Sequence, residues 1–210
     1  TTKDDEIVMD FFSGTASTAH ATMELNSEDG GNRKYIMVQL PEPTGEDSVA
    51  YKEGYPTIAE IAKERIRRSG KKILDNSEND LDVGFKVFKL DSSNLKKWEP
   101  DYDDIEQSML IETVKDGRSN EDLVYEIMLK EGIDLTLPIE QHDKIYSVGK
   151  GALIICLNDN ITKDICDDIL KLKSRMTRVV FKDKGFASDS DKTNIIETLR
   201  VNGITEFITI

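Results

Sequence analysis

The sequence predicts an α/β chain made of two units, and three observations carry that reading. Short apolar runs such as 7–12, 35–40 and 152–157 recur along the 210 residues, and most are followed by a turn and then by apolar residues at helical spacing. Strand, helix and strand alternate cleanly to about residue 94, and the pattern breaks at Glu99-Pro100-Asp101. Composition, with 38% hydrophobic and 33% charged residues, is polar but carries enough apolar sequence to build a core. The boundary is expected between Trp98 and Asp104, giving units 1–99 and 100–210.

The first strand is 7-IVMDFF-12, closed by Ser13, Gly14 and Thr15. Residues 17–26 form a helix with Ala19 and Met23 on one face, four positions apart. A Gly30-Gly31 turn leads to 35-YIMVQL-40, which Pro41 and Pro43 end, because proline cannot continue a central ladder. A helix lies between these two strands, so they are expected to be parallel. Residues 43–56 read as loop. Thr57 then caps a helix, with Glu60 as its capping-box partner and Ile58, Ile61, Ala62, Ile66 and Ile73 as its apolar stripe. The alternating run 84-GFKVFKL-90 predicts a third strand, ended by Asp91. Beyond it, helices are expected over about 102–115 and 120–131, the second capped by Ser119 or Asn120. A hairpin follows, pairing 145–148 with 152–157 across Gly149-Lys150-Gly151. Then come a helix with Ile165, Ile169 and Leu172, a strand at 179–181, a helix with Ile195, Ile196 and Leu199, and a last strand at 207–210.

Several function classes drop out. No apolar run approaches the ~18 residues that span a bilayer, and the start TTKDDE is acidic where a secretory signal needs basic residues. A cytoplasmic, reduced protein with no membrane association is therefore expected, with Cys156 and Cys166 as core thiols. Two histidines, His20 and His142, with cysteines far from both, make a metal site improbable. A net charge of −13 excludes a general nucleic-acid coat. The one dense basic cluster is Lys63, Arg65, Arg67, Arg68, Lys71 and Lys72, where Arg65, Arg68 and Lys72 share a helix face. Either it is a solvated face paired with Glu60 and Glu64, or it touches phosphates. His20 reads as a helix-face residue and Trp98 as a packing anchor.

The sharpest feature is 10-DFFSGTASTAHA-21 in the turn after the first strand. Small residues let a ligand approach the backbone, and the following helix start offers unpaired N–H groups. The acid at the strand end can hold an ammonium or hydroxyl. No Gly-Lys-Ser/Thr is present, and GxGxxG is not matched, since Ala16 follows Gly14 at the second glycine position.

This string resembles motif I of amino-methylating DNA methyltransferases, Asp-x-Phe-x-Gly-Ser-Gly-Thr-Thr, and more narrowly that of the modification (Mod) subunits of type III restriction–modification systems. The resemblance continues through 33-RKYIMVQLPEP-43, 54-GYPTIAEIAKERIRRSGKK-72, 84-GFKVFKLDSSNLKKW-98, 116-DGRSNEDLVYEIMLKEGIDLTLPI-139 and 152-ALIICLNDNI-161. It implies a partial Rossmann-like methyltransferase sheet, parallel and ordered 3-2-1, followed by a C-terminal helical and small α/β unit. It implies S-adenosylmethionine as cofactor and methyl transfer to adenine N6 of DNA. Asp10 would hold the cofactor's ammonium, Phe12 and Gly14 would line the turn, and Ser13, Thr15 and Thr18 would donate to its carboxylate. Gln39 stands where an acid for the ribose hydroxyls is expected, and Asp91 is a weaker choice for the adenine edge. Arg65, Arg68 and Lys72 stay the candidate DNA contacts, beside the solvated-face reading. The implied partners are DNA, the restriction (Res) subunit and a second copy of the full-length subunit.

One family element is missing. The catalytic (Asp/Asn)-Pro-Pro-(Tyr/Phe) needs adjacent prolines, and Pro41, Pro43, Pro56, Pro100 and Pro138 are all separated. In this methyltransferase class that motif precedes the cofactor motif, so the chain reads as the C-terminal part of a larger protein, inactive alone. The alternative is a non-catalytic assembly module whose later unit mediates dimer or Res contacts.

Overall fold

A computed structural model describes residues 2–77, 81–96 and 114–210. The chain divides into two compact units, 1–87 and 88–210. The helix expected over 102–115 and the boundary expected at 98–104 fall almost wholly outside the described residues.

In the first unit, β1 (Ile7–Asp10) pairs in parallel with β2 (Lys34–Met37), with Ile7 opposite Lys34 and Asp10 opposite Met37. α1 (Ser17–Asp29) makes the crossover. After a short α2 (Val49–Lys52), inside the segment expected to be loop, α3 (Ile58–Asn76) begins where Thr57 Oγ1 accepts the Glu60 N–H at 3.3 Å. Glu60 turns its own carboxylate to Lys63. Ala16, Ala19 and Met23 pack with Ala62, Ile66 and Ile73, and Tyr35 and Met37 close the cluster from the sheet. Gly70 faces the Val83 side chain so closely that an added Cβ would meet it at 3.1 Å. The opposite sheet face is uncovered: Ile7 is 61%, Met9 49% and Ile36 46% exposed.

The third strand does not form. Residues 84–90 run without sheet pairing, so the described sheet of this unit has two strands and no 3-2-1 order. The reason is competition for side chains. Val83 and Phe85 pack on the α1–α3 cluster, with the Arg67 guanidinium 5.6 Å above the Phe85 ring. Phe88 meets Tyr125 edge to face at 4.9 Å, and Leu90 is fully exposed. Alternation favours extended backbone, but a strand also needs a ladder partner.

In the second unit a five-stranded sheet is ordered β3-β4-β5-β6-β7. β3 (Ile139–His142), β4 (Ile145–Val148) and β5 (Leu153–Cys156) are antiparallel; β5, β6 (Arg178–Phe181) and β7 (Glu206–Thr209) are parallel. The expected hairpin is thus present, extended by β3, which sequence reading missed. Ile154, Cys156, Val179 and Phe181 face α5 (Lys163–Leu172) and α6 (Asp189–Val201) through Cys166, Ile169, Ile195 and Leu199. Leu153, Ile155, Val180, Tyr146 and Val148 face α4 (Asn120–Lys130) through Leu123, Val124, Ile127 and Met128. Covering on both faces explains why β5 is apolar at every position. Ser119 caps α4 in a reciprocal box with Asp122. Gly149, Lys150 and Gly151 all take positive φ in the hairpin turn, and a Cβ on Gly151 would lie 2.1 Å from the Leu172 carbonyl oxygen. Among the described residues, no helix is long and apolar enough to cross a membrane, and no group of three His, Cys, Asp or Glu could hold a metal ion.

Candidate functional site

The turn between β1 and α1 is built by hydrogen bonds that its own residues make. Asp10 ends β1, and its carboxylate accepts the Phe12 N–H at 3.2 Å and the Thr18 hydroxyl at 2.7 Å. Thr18 lies in the first turn of α1, so one acid ties strand end to helix start. Ser13 is buried and donates its N–H to the Val38 carbonyl at 3.2 Å, while the Val38 N–H donates to the Asp10 carbonyl at 2.8 Å. The turn is therefore laced to the continuation of β2.

Gly14 (φ 52°) and Ala16 (φ 58°) both take the left-handed conformation. For Gly14 this is the reason for glycine, because a Cβ there would find only the Phe12 carbonyl oxygen, 4.0 Å away. Ala16 takes the same conformation as an L-residue at a cost of roughly 1 kcal/mol, and its methyl is fully buried against α3. Thus the departure from the second motif glycine is accommodated by packing.

Gln39 reaches the turn. Its Oε1 accepts the Gly14 N–H at 2.7 Å and its Nε2 donates to the Leu40 carbonyl at 3.1 Å. Both ends of the amide are used within the chain, and each keeps one further site, a lone pair on Oε1 and an N–H on Nε2. The structure brings Asp10, Phe12, Ser13, Gly14, Thr18 and Gln39 into one hydrogen-bonded neighbourhood. Thr15 sits in the same turn, exposed. The Phe12 ring is 88% exposed beside it.

The turn keeps unspent hydrogen-bonding capacity. An ionised carboxylate has about four acceptor sites, and Phe12 and Thr18 occupy two of Asp10's, leaving capacity for an ammonium. Open space at Gly14 and the exposed Phe12 ring give the turn a receptive side.

The basic residues stand on α3, away from the Asp10 carboxylate's hydrogen-bonded set. Arg68 is held by Glu64 at 2.7 Å and by the Tyr55 hydroxyl at 3.2 Å, with its side chain 73% exposed. Arg65 and Lys72 are exposed on the same helix. His20, Tyr55, Ile61, Glu64, Arg65 and Arg68 line an open groove there. His20 Nε2 lies 3.1 Å from the Glu24 carboxylate, one helical turn on. Asp91 belongs to the second unit, where the Arg118 guanidinium, at 2.6 Å, holds its carboxyl down at about 2.

One residue that organises this region was missed. Arg33 is 6% exposed and bonds Asp29 through both terminal nitrogens, and also Asp4, Asn26 and Thr2. It pins the start of β2 to the end of α1. Its spacing of four from Asp29 was a legible signal, but the intervening Gly30-Gly31 turn hid it.

Comparison with known proteins supplies the family. No family model matches the chain. It is similar to the Mod subunit of the type III restriction-modification enzyme StyLTI from Salmonella typhimurium, 44% identical over 86 residues, covering 40% of this chain and 13% of that protein. It is similar to the EcoPI Mod subunit of Escherichia phage P1, 34% identical over 142 residues, covering 68% of the chain and 22% of the relative. The type II methyltransferase M.KpnI of Klebsiella pneumoniae is 42% identical over 64 residues, 30% of the chain and 15% of that protein. The matches thus span 13 to 22% of the length of these relatives. Over two thirds of its length, then, the chain belongs with the Mod subunits of type III restriction–modification enzymes and corresponds to a part of them.

Proposed function

We propose that this chain is the cofactor-binding and C-terminal portion of a DNA methyltransferase that modifies adenine N6 with S-adenosylmethionine in a restriction–modification system. The turn at 10–18 carries the reading. It combines a half-buried acid at a strand end, a left-handed Gly14 with open space beside it, and a following helix. The relatives named Mod subunit and methyltransferase support it.

Asp10 would hold the cofactor's ammonium, with Thr18 and the Phe12 N–H fixing the carboxylate's orientation. The Gly14 backbone and the Phe12 ring would flank the ligand and Thr15 would contribute donors, whereas buried Ser13 spends its N–H and its hydroxyl on the Val38 carbonyl and is no donor to a ligand. When bound, the cofactor supplies an electrophilic methyl group on a sulfonium. This chain's part is to hold it in position, which lowers the barrier by orientation. The target adenine would be gripped by a motif this chain does not contain, since none of its prolines are adjacent. The chain alone therefore transfers no methyl group. Arg65, Arg68 and Lys72 would meet DNA phosphates, and a Res subunit and a second Mod copy would be partners of the whole.

The test is calorimetric titration of the complete modification enzyme with S-adenosylmethionine. Loss of a charge-assisted hydrogen bond worth roughly 1.5–3 kcal/mol makes Asp10→Ala bind about ten- to a hundredfold more weakly. Arg68→Ala should keep cofactor affinity while weakening DNA binding in a salt-dependent way. Unchanged cofactor affinity in Asp10→Ala overturns the assignment.

A further inference from the structure

Gln39 makes a contact to which the cofactor reading gives no role. It stands just beyond the end of β2 and is half-buried, and its Oε1 accepts the Gly14 N–H at 2.7 Å from 25 positions away in sequence. Its Nε2 donates to the Leu40 carbonyl at 3.1 Å, which fixes which way round the amide lies.

Gly14 is the residue of the turn that most needs such a hold. With no Cβ, a glycine visits positive and negative φ about equally. Its φ of 52° is therefore selected from outside the residue. The chain on either side is anchored already. The Ser13 N–H donates to the Val38 carbonyl at 3.2 Å, and the Thr18 hydroxyl donates to the Asp10 carboxylate at 2.7 Å. Between these anchors the Gly14 N–H is held by the Gln39 side chain. That bond sets the plane of the Ser13–Gly14 peptide, and so the conformation in which Gly14 keeps open space beside it.

We propose that Gln39 is a positioning residue for the methyl donor, raising S-adenosylmethionine affinity through Gly14 by holding the turn in its binding shape before the ligand arrives. A segment ordered in advance spares the ligand the entropy of ordering it. No contact between Gln39 and the ribose is needed for this effect. The inference rests on the cofactor reading of the turn at 10–18.

The experiment titrates the complete modification enzyme calorimetrically with S-adenosylmethionine and with an analogue of it lacking both ribose hydroxyls. Gln39→Leu, which fills similar space and accepts nothing, should weaken both ligands by the same factor, about three- to tenfold, the loss of one neutral hydrogen bond. Gln39→Glu, whose carboxylate still accepts the Gly14 N–H, should restore both affinities. Gln39→Met, unbranched and of similar reach, takes the place of the leucine variant if that does not fold. Unchanged affinity in Gln39→Leu, a loss confined to the ligand with hydroxyls, or a loss that Gln39→Glu does not restore overturns the proposal. Asp10→Ala tells the two failures apart. If it also leaves cofactor affinity unchanged, the cofactor reading falls; if it weakens binding where Gln39→Leu does not, only the role of Gln39 falls.

Discussion

Gly14 and Tyr35 show that a residue's conformation and its hydrogen bonds can matter more than its volume. At Gly14 an added Cβ has room, so the cost of Gly14→Ala is the left-handed backbone alone. That cost should be about 1–2 kcal/mol, read as a lower urea midpoint in the 210-residue chain. Gly14→Asn, whose side chain tolerates this conformation, should recover most of it. Tyr35 packs on the α1–α3 cluster with its hydroxyl buried and without a hydrogen-bond partner among the described residues. Burial, and then the Asp82 charge, push the phenol up to about 12, so the group stays neutral. Removing an unsatisfied buried hydroxyl relieves a desolvation penalty of about 1–3 kcal/mol. Tyr35→Phe is therefore expected to hold or raise the urea midpoint; a lower one would show that the hydroxyl is satisfied.

At the scale of elements, α3 depends on its cap. Thr57 accepts the Glu60 N–H while Glu60 spends its carboxylate on Lys63. Thr57→Ala should cost about 1 kcal/mol, whereas Glu60→Ala should cost less, because the reciprocal half of the box is not made. Chemical denaturation of both variants separates the two. Caps, turn glycines and apolar stripes made α1, α3, α4, α5 and α6 legible in the sequence, because these signals are local. The parallel pairing of β1 with β2 was legible through the helix between them. The third strand was misread because pairing is decided by partners, and Phe85 and Phe88 find theirs in side-chain clusters. β3 was missed because Ile139–His142 carries one apolar residue in four and takes its register from β4. In the candidate site, the neighbourhood of Asp10, Gly14 and Thr18 in one turn was legible because they lie within nine residues of each other. The Gly14–Gln39 hydrogen bond spans 25 positions and only the fold could reveal it.

Over the whole molecule, carboxylates held low in the second unit contribute to its acid stability, with Asp91, Glu126 and Asp159 each brought to about 2 among the described residues. Burial raises Glu126, but Lys130, the Ser93 hydroxyl and the Asn94 N–H outweigh it and bring the group to about 2. Arg118 does the same for Asp91, and Lys144 with Lys182 for Asp159, each to about 2. Folded values lie below unfolded ones, so these groups stabilise the unit above the ordinary carboxylate range. That stabilisation is lost as pH falls from about 4.5 towards 2. Urea midpoints of the 210-residue chain should fall steadily across this window, and Glu126→Gln should flatten part of the fall. A profile as steep in Glu126→Gln as in the parent would remove Glu126 from the account.

The uncovered sheet face of the first unit reaches further than packing. Ile7, Met9 and Ile36 lie there, with Phe11, Phe12, Val38 and Leu40 exposed in the adjoining segments. Exposed apolar area on this scale is a sticky surface. A polarity-sensitive dye should therefore fluoresce with the fully folded chain, a signal ordinarily reserved for loosened states. Ile36→Lys should dim it and raise the concentration at which the protein precipitates, with the melting profile unchanged. For this chain, bright dye staining reports an apolar face within a native fold.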